Sequence, residues 1–124
     1  MLFDGAHNPE GARSLRDYIE EFIHVPLTLV FGAMRDKDLT EIATRLFPLA
    51  HRLILTRPDN PRAATLETLA RAASDHLDPN KITLAPTSRE ALQAAREQTS
   101  PNGLICVTGS LYLVGEIQNI LREP

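Results

Sequence analysis

The sequence predicts an α/β fold: a doubly wound, mainly parallel sheet with helices on both faces. Three observations predict it. Short, wholly apolar runs recur along the chain, and amphipathic segments of helical period separate them. Small and polar residues collect just after the apolar runs. Continuous apolar strands of this kind suit a parallel sheet covered on both sides.

The elements follow in order. Leu2-Phe3 reads as the tail of a first strand that is already under way, so a longer parent protein is expected. Ala12, Leu15, Ile19 and Phe22 repeat at helix spacing and predict a helix from about Pro9 to Phe22. Asn8 can cap it, and Pro9 sits at the first helical position, where its missing N–H costs nothing. Leu27-Thr28-Leu29-Val30-Phe31 reads as a buried strand. Leu39, Ile42, Ala43 and Leu46 form the second stripe, opened by Asp38 and Glu41 at capping-box spacing and closed by Pro48. Leu53-Ile54-Leu55 is the third strand, followed by a loop in which Pro58 and Pro61 bracket Asp59-Asn60. The third stripe is Leu66, Leu69, Ala70, Ala73 and Leu77. Ile82-Thr83-Leu84 is the next strand, and Thr87 and Glu90 open a helix carrying Ala91, Leu92 and Ala95. Leu104-Ile105-Cys106-Val107 and a final stripe of Val114, Ile117 and Leu121 complete a βαβαβαβαβα order. Its crossovers should be right-handed.

Composition narrows the function classes. The 124 residues suit one domain spanning residues 1–124, and 43% hydrophobic content is enough for one core. The net charge of −3, with no basic block, leaves no electrostatic footprint for nucleic acid. No apolar run approaches the ~20 residues that span a bilayer, so no membrane association is expected. The N-terminal residues lack the basic-then-apolar order of a signal peptide. Cys106 is the single cysteine and lies in an apolar run, where a buried small hydrophobe outweighs a reactive thiol. These features favour a reducing cytoplasm.

In doubly wound sheets ligands sit beyond the carboxyl ends of the strands. That rule marks residues 4–8, 32–38, 56–62, 85–88 and 108–112. At residues 4–8, Asp4 can accept hydrogen bonds from ribose hydroxyls and His7 can meet a phosphate or a base; a tight strand-to-helix turn explains the same residues. In residues 32–38, Lys37 or Arg35 could hold a substrate carboxylate, or the whole loop is a solvated charged turn with Asp38 as a cap. Arg57 and Arg62 flank either an anion site or open water. Thr108-Gly109-Ser110 opens the last helix, where hydroxyls and free amides suit a carboxylate or phosphate and where Ser110 can equally be the N-cap. His24, His51 and His76 have no metal-ligand spacing, and no metal site is expected. Neither a Gly-x-x-x-x-Gly-Lys-Ser/Thr loop nor a Gly-x-Gly-x-x-Gly fingerprint occurs.

Three segments together resemble one family. Asp4-Gly5-Ala6-His7-Asn8-Pro9 is similar to the signature of the folylpolyglutamate synthase and dihydrofolate synthase family. Phe31-Gly32-Ala33-Met34-Arg35-Asp36-Lys37-Asp38 is similar to its next strand and loop, and Val107-Thr108-Gly109-Ser110-Leu111-Tyr112 to its closing segment. The resemblance covers essentially the whole chain and implies the C-terminal, Rossmann-like glutamate ligase domain of the Mur ligase superfamily. It implies a reaction in which ATP phosphorylates a substrate carboxylate and the amine of glutamate attacks the acyl phosphate. The acceptor would be dihydropteroate or a folate.

By the same resemblance, Asp4 and His7 are nucleotide-binding, His7 is also the catalytic candidate, and Ser110 and Lys37 meet the incoming amino acid. ATP and Mg2+ are implied for the full-length enzyme, with the Mg2+ ligands and the P-loop in an N-terminal ATPase domain whose motifs are absent from these residues. The implied partners are that domain, ATP, glutamate and folate or dihydropteroate. A monomer is expected, the chain alone needs no cofactor, and no ligase activity is expected from it. The competing readings are another Mur-type amino-acid ligase acting on a cell-wall precursor, a receiver-like phosphoacceptor domain, and a non-catalytic α/β binding module.

Overall fold

The computed structural model describes all 124 residues. Five strands, β1 (Leu2–Asp4), β2 (Leu27–Phe31), β3 (Arg52–Thr56), β4 (Ile82–Ala85) and β5 (Leu104–Thr108), form one sheet in the order β1-β5-β2-β3-β4. Every pairing is parallel. The helices are α1 (Pro9–Phe22), α2 (Leu39–Leu46), α3 (Leu66–Ala73), α4 (Ser88–Gln98) and α5 (Leu111–Leu121), with short 3-10 turns at Phe47–Leu49 and Pro79–Lys81.

Alternation along the strands divides the core in two. Leu27, Leu29 and Phe31 of β2, Leu53 and Leu55 of β3, and Cys106 of β5 pack with α1, α2 and α3. Val30, Ile54 and Val107 point the other way, onto Ala91, Leu92 and Ala95 of α4 and Leu113 and Ile117 of α5. A period of two carries neighbouring residues to opposite faces, so a strand covered on both must be apolar throughout. β2, in the middle of the sheet, is buried at all five positions. Phe31 and Phe47 meet edge to face with centroids 5.0 Å apart, a contact worth about 1 kcal/mol beyond its buried area.

The two-faced cover follows from crossover handedness. The steps β1 to β2, β2 to β3 and β3 to β4 run one way across the sheet, and their helices lie on one face. The step from β4 to β5 runs back, and α4 lies on the other face with α5. One handedness for all four crossovers requires this change of face. Loops from neighbouring strands therefore diverge at two places: around β5, which lies between β1 and β2, and between β3 and β4. Crevices open where such loops part.

Local rules hold at most boundaries. Asn8, Asp38, Thr87 and Ser110 each accept a hydrogen bond from an N–H in the first turn of the following helix. Thr65 caps α3 in the same way. The third helix is shorter than its apolar stripe, which reaches Leu77; it stops at Ala73. There the Ser74 hydroxyl donates to the carbonyl of Arg71 at 2.8 Å, offering the backbone an alternative to another helical turn. Asp4, Thr56, Ala85 and Thr108 are the last residues of strands rather than loop residues. No helix is long and apolar enough to cross a membrane.

Candidate functional site

The crevice around β5 holds a cavity of about 120 Å³ lined by residues of three loops. His7 comes from the β1–α1 connection, Met34 and Lys37 from β2–α2, and Gly109, Ser110, Leu111 and Tyr112 from β5–α5. Register explains the convergence. Thr108 is level with Asp4 on one side and with Phe31 on the other, so the three strands end together and deliver their loops to one place.

Gly109 makes the turn from β5 into α5. Its φ of +106° lies where side chains are strained, and an added Cβ would stand 2.8 Å from the Phe31 ring. Ser110 then caps α5, its hydroxyl oxygen accepting from the Tyr112 N–H at 3.0 Å. Ser110 is buried, whereas Leu111 and Tyr112 stand out at the rim, 67% and 59% exposed. Ser110 and the start of α5 line the cavity, and a helix N-terminus attracts an anion.

The charged loop after β2 sorts itself by contact. Asp36 takes the Arg62 guanidinium at 2.5 Å. Asp38 caps α2 through the Glu41 N–H at 3.2 Å. Arg35 is exposed, and its backbone N–H donates to the Arg62 carbonyl at 2.7 Å. Lys37, half-buried, is the cation of this loop that lines the cavity. Arg62, though largely exposed, ties two loops. Arg57 reaches the Ala63 carbonyl through Nε at 3.4 Å.

Asp4 and His7 are shaped by their own turn. One oxygen of Asp4 accepts from the Ala6 N–H at 2.8 Å, as the turn reading requires. Asp4 does not line the cavity, while His7 does. His7, Lys37 and Ser110 are thus brought together, and Asp4 stands at the foot of the same loop. Met34, Leu111 and Tyr112 are lining residues to which residue chemistry alone assigns no role; their place follows from the strand order.

A second cavity, about 530 Å³, opens at the β3–β4 divergence and is lined by Arg57, Asp59, Ser88, Arg89, Glu116 and others. It is larger, and two of its charged side chains, Glu116 and Arg89, are engaged in hydrogen bonds or an ion pair. Glu116 accepts from the Ser88 hydroxyl and from the Asp59 N–H, and Arg89 makes a two-pronged pair with Glu123 at 2.7 and 2.8 Å. That pairing raises the Arg89 pKa and lowers that of Glu123. The smaller cavity is the better candidate because it gathers residues of three loops, among them Lys37, His7 and the cap of α5. No three His, Cys, Asp or Glu side chains converge on one point.

Known proteins share this fold. Residues 1–111 match the family model described as Mur ligase, glutamate ligase domain. The chain is 33% identical over 140 aligned positions to the dihydrofolate synthase/folylpolyglutamate synthase of Mycobacterium tuberculosis, covering 100% of this chain and 28% of that protein. It is 32% identical to a probable bifunctional folylpolyglutamate synthase/dihydropteroate synthase of Haloferax volcanii, covering 94% of this chain and 14% of that one. Among solved structures, Mycobacterium tuberculosis folylpolyglutamate synthase complexed with ADP superposes with a TM-score of 0.89 at 28% identity, over 98% of this chain and 29% of that one. The chain thus spans less than a third of each of these relatives. With nine-tenths of its length matched by the family model, and with the sheet and loops that the match implies, the chain belongs to the Mur ligase glutamate ligase domain family.

Proposed function

We propose that this chain is the amino-acid-facing domain, residues 1–124, of a cytoplasmic, monomeric ATP-dependent ligase that adds L-glutamate to dihydropteroate or a folate. The observation that carries the reading is the single cavity joining His7, Lys37 and Ser110 from three separate loops. The relatives' names support the folate branch, and the ADP complex of one relative supports nucleotide use.

In this reading the Lys37 ammonium, the Ser110 hydroxyl and the first-turn amides of α5 hold a carboxylate of the incoming glutamate. The glutamate amine then attacks the activated acyl carbon. A C–N bond forms, the C–O bond to phosphate breaks, and phosphate leaves with the electron pair and takes up the proton that the amine loses. His7 stands at the nucleotide side with Asp4 behind it, Asp4 taking ribose hydroxyls with its remaining oxygen. The phosphate grip and Mg2+ ligands belong to an ATPase domain of the parent enzyme, because these residues contain no P-loop and no converging carboxylates. The ATPase domain, ATP, glutamate and the pteridine substrate are the partners.

The test is direct. Adding L-glutamate and ADP to the isotopically labelled chain should shift amide signals of residues 5–7, 34–37 and 109–112. The ligase carrying this domain should form glutamyl products from dihydropteroate or folates and none from muramyl precursors. Signal changes confined to the larger cavity, or activity on muramyl precursors alone, would defeat the reading.

A further inference from the structure

Helix α5 and the β3–α3 loop meet at one carboxylate. Glu116, in the second turn of α5, accepts from the Asp59 backbone N–H through Oε2 at 2.7 Å. Its Oε1 accepts from the hydroxyl of Ser88, the first residue of α4, which is 6% exposed. Neither bond is local: the partners lie 57 and 28 residues away in sequence. One side chain therefore ties α5, α4 and the β3–α3 loop together.

The loop held by Glu116 bears on the smaller cavity. Met34 and Ala63 form an antiparallel bridge. The Arg35 N–H donates to the Arg62 carbonyl at 2.7 Å and the Ala64 N–H to the Ala33 carbonyl at 2.8 Å. Arg62 also holds Asp36. The segment carrying Met34 and Lys37 is thus zipped to residues 62–64, downstream of Asp59 on one loop. The opposite wall of the cavity is the start of α5 itself, Ser110, Leu111 and Tyr112.

We infer that Glu116 is a positioning residue for that cavity. The helix that supplies Ser110 braces, through Glu116, the loop against which Lys37 is set, and so fixes the spacing between the two groups that would grip a carboxylate. This assignment of purpose rests on the reading of the cavity as the amino-acid site. Without Glu116 the Asp59 N–H and the Ser88 hydroxyl lose their acceptor, and the loop is free to shift. Pro58 and Pro61 limit how far it can go, so spacing is lost before the fold is.

The experiment uses three forms of this chain: unaltered, Glu116→Ala and Glu116→Gln. Glutamine keeps the shape, accepting from Asp59 through its carbonyl and donating to the Ser88 oxygen through its amide. Amide hydrogen exchange is followed residue by residue without ligand. In Glu116→Ala, exchange at Arg35 and Ala64 should rise about 10-fold or more, while amides inside β2, β3 and β5 stay within about two-fold. Glu116→Gln should match the unaltered chain. A uniform rise through the strands, or a rise confined to Asp59, overturns the proposal.

A parallel titration with L-glutamate should show about 10-fold weaker binding in Glu116→Ala and recovery in Glu116→Gln. If the exchange pattern holds and the unaltered chain binds no glutamate, the brace stands and the amino-acid reading of the cavity falls. The two failures are therefore distinguishable.

Discussion

His7 Nδ1 stands 2.8 Å from the carbonyl oxygen of Gly5, two residues earlier in the chain. A carbonyl oxygen only accepts, so Nδ1 carries the proton, and in the neutral ring Nε2 is left as an acceptor. The strand-to-helix turn thus fixes both the tautomer and the direction of the free nitrogen. Nitrogen-15 NMR of the neutral ring should show a protonated Nδ1 and an unprotonated Nε2. If the parent protein is the proposed ligase and His7 takes part in proton transfer there, His7→Ala should lower kcat/KM by roughly 10²-fold, the lower end of what a positioned acid–base group supplies. An opposite tautomer, or unchanged kcat/KM, would remove His7 from the chemistry.

Gly109 and Gly32 show how tightly the loops around β5 and β2 approach. At Gly32 an added Cβ would stand 2.7 Å from the Thr56 carbonyl oxygen, and at Gly109 2.9 Å from Phe31 Cδ1 with φ at +106°. Gly109→Ala therefore combines left-handed backbone strain with overpacking, and should cost about 3 kcal/mol or more. Urea unfolding would read this as a lower midpoint at unchanged m-value. A loss below about 1 kcal/mol would mean that the turn has an alternative conformation.

The strands and helix starts were legible in the sequence because their causes are local. The unbroken apolar run Leu27–Phe31 announces a strand covered on both faces, and Asn8, Asp38, Thr87 and Ser110 cap where their side chains allow. The end of α3 was not legible, because the apolar stripe continues to Leu77 while the Ser74 hydroxyl turns the backbone aside. The site was legible as residues and not as a place. His7, Lys37 and Ser110 come together only because β5 inserts between β1 and β2, a pairing that no local pattern encodes. For the same reason, a sequence reading cannot tell that Arg62 removes Asp36 from the charged loop and leaves Lys37 facing the cavity.

Cys106 offers a check on the interior. Burial, and next to it the charge of Asp4, pushes its thiol up to about 12, from the 9.0 of an exposed thiol. The folded state thus keeps its proton where the unfolded chain has lost it. The associated stability is fully present below pH 9 and is lost as pH rises from about 9 towards about 12, at up to ~1.4 kcal/mol per pH unit. Denaturation at pH 8 and 10 should show the fall, and Cys106→Ala should flatten this component. Reaction with a thiol reagent at pH 8 should be slow in the folded chain and fast in urea.

Lys37 should separate binding from chemistry. If its ammonium holds a glutamate carboxylate equally in ground and transition states, Lys37→Ala raises KM for glutamate with little change in kcat. The lost charge-assisted bond corresponds to roughly 10- to 100-fold. Lys37→Arg should recover part of it, since a guanidinium restores charge with a different reach. A fall in kcat at unchanged KM would instead place Lys37 at the reacting phosphate.

Ser110 has two duties that different substitutions pull apart. As the cap of α5 it accepts from the Tyr112 N–H, and Ser110→Ala should cost about 1 kcal/mol of stability. Aspartate caps as well as serine does, and near a helix N-terminus its charge is favourable. Ser110 is 2% exposed, so the carboxylate must reach into the cavity to stay solvated; held there by the cap bond and the helix terminus, it lets Ser110→Asp keep the stability that Ser110→Ala loses. The same carboxylate would sit at the cavity beside Lys37 and compete with an anionic ligand for the ammonium and the helix amides. Glutamate binding should then fall by more than 10-fold in Ser110→Asp, beyond the loss in Ser110→Ala, although Ser110→Asp is the more stable protein. If binding instead follows stability across the two variants, Ser110 is a cap alone and the carboxylate is held elsewhere.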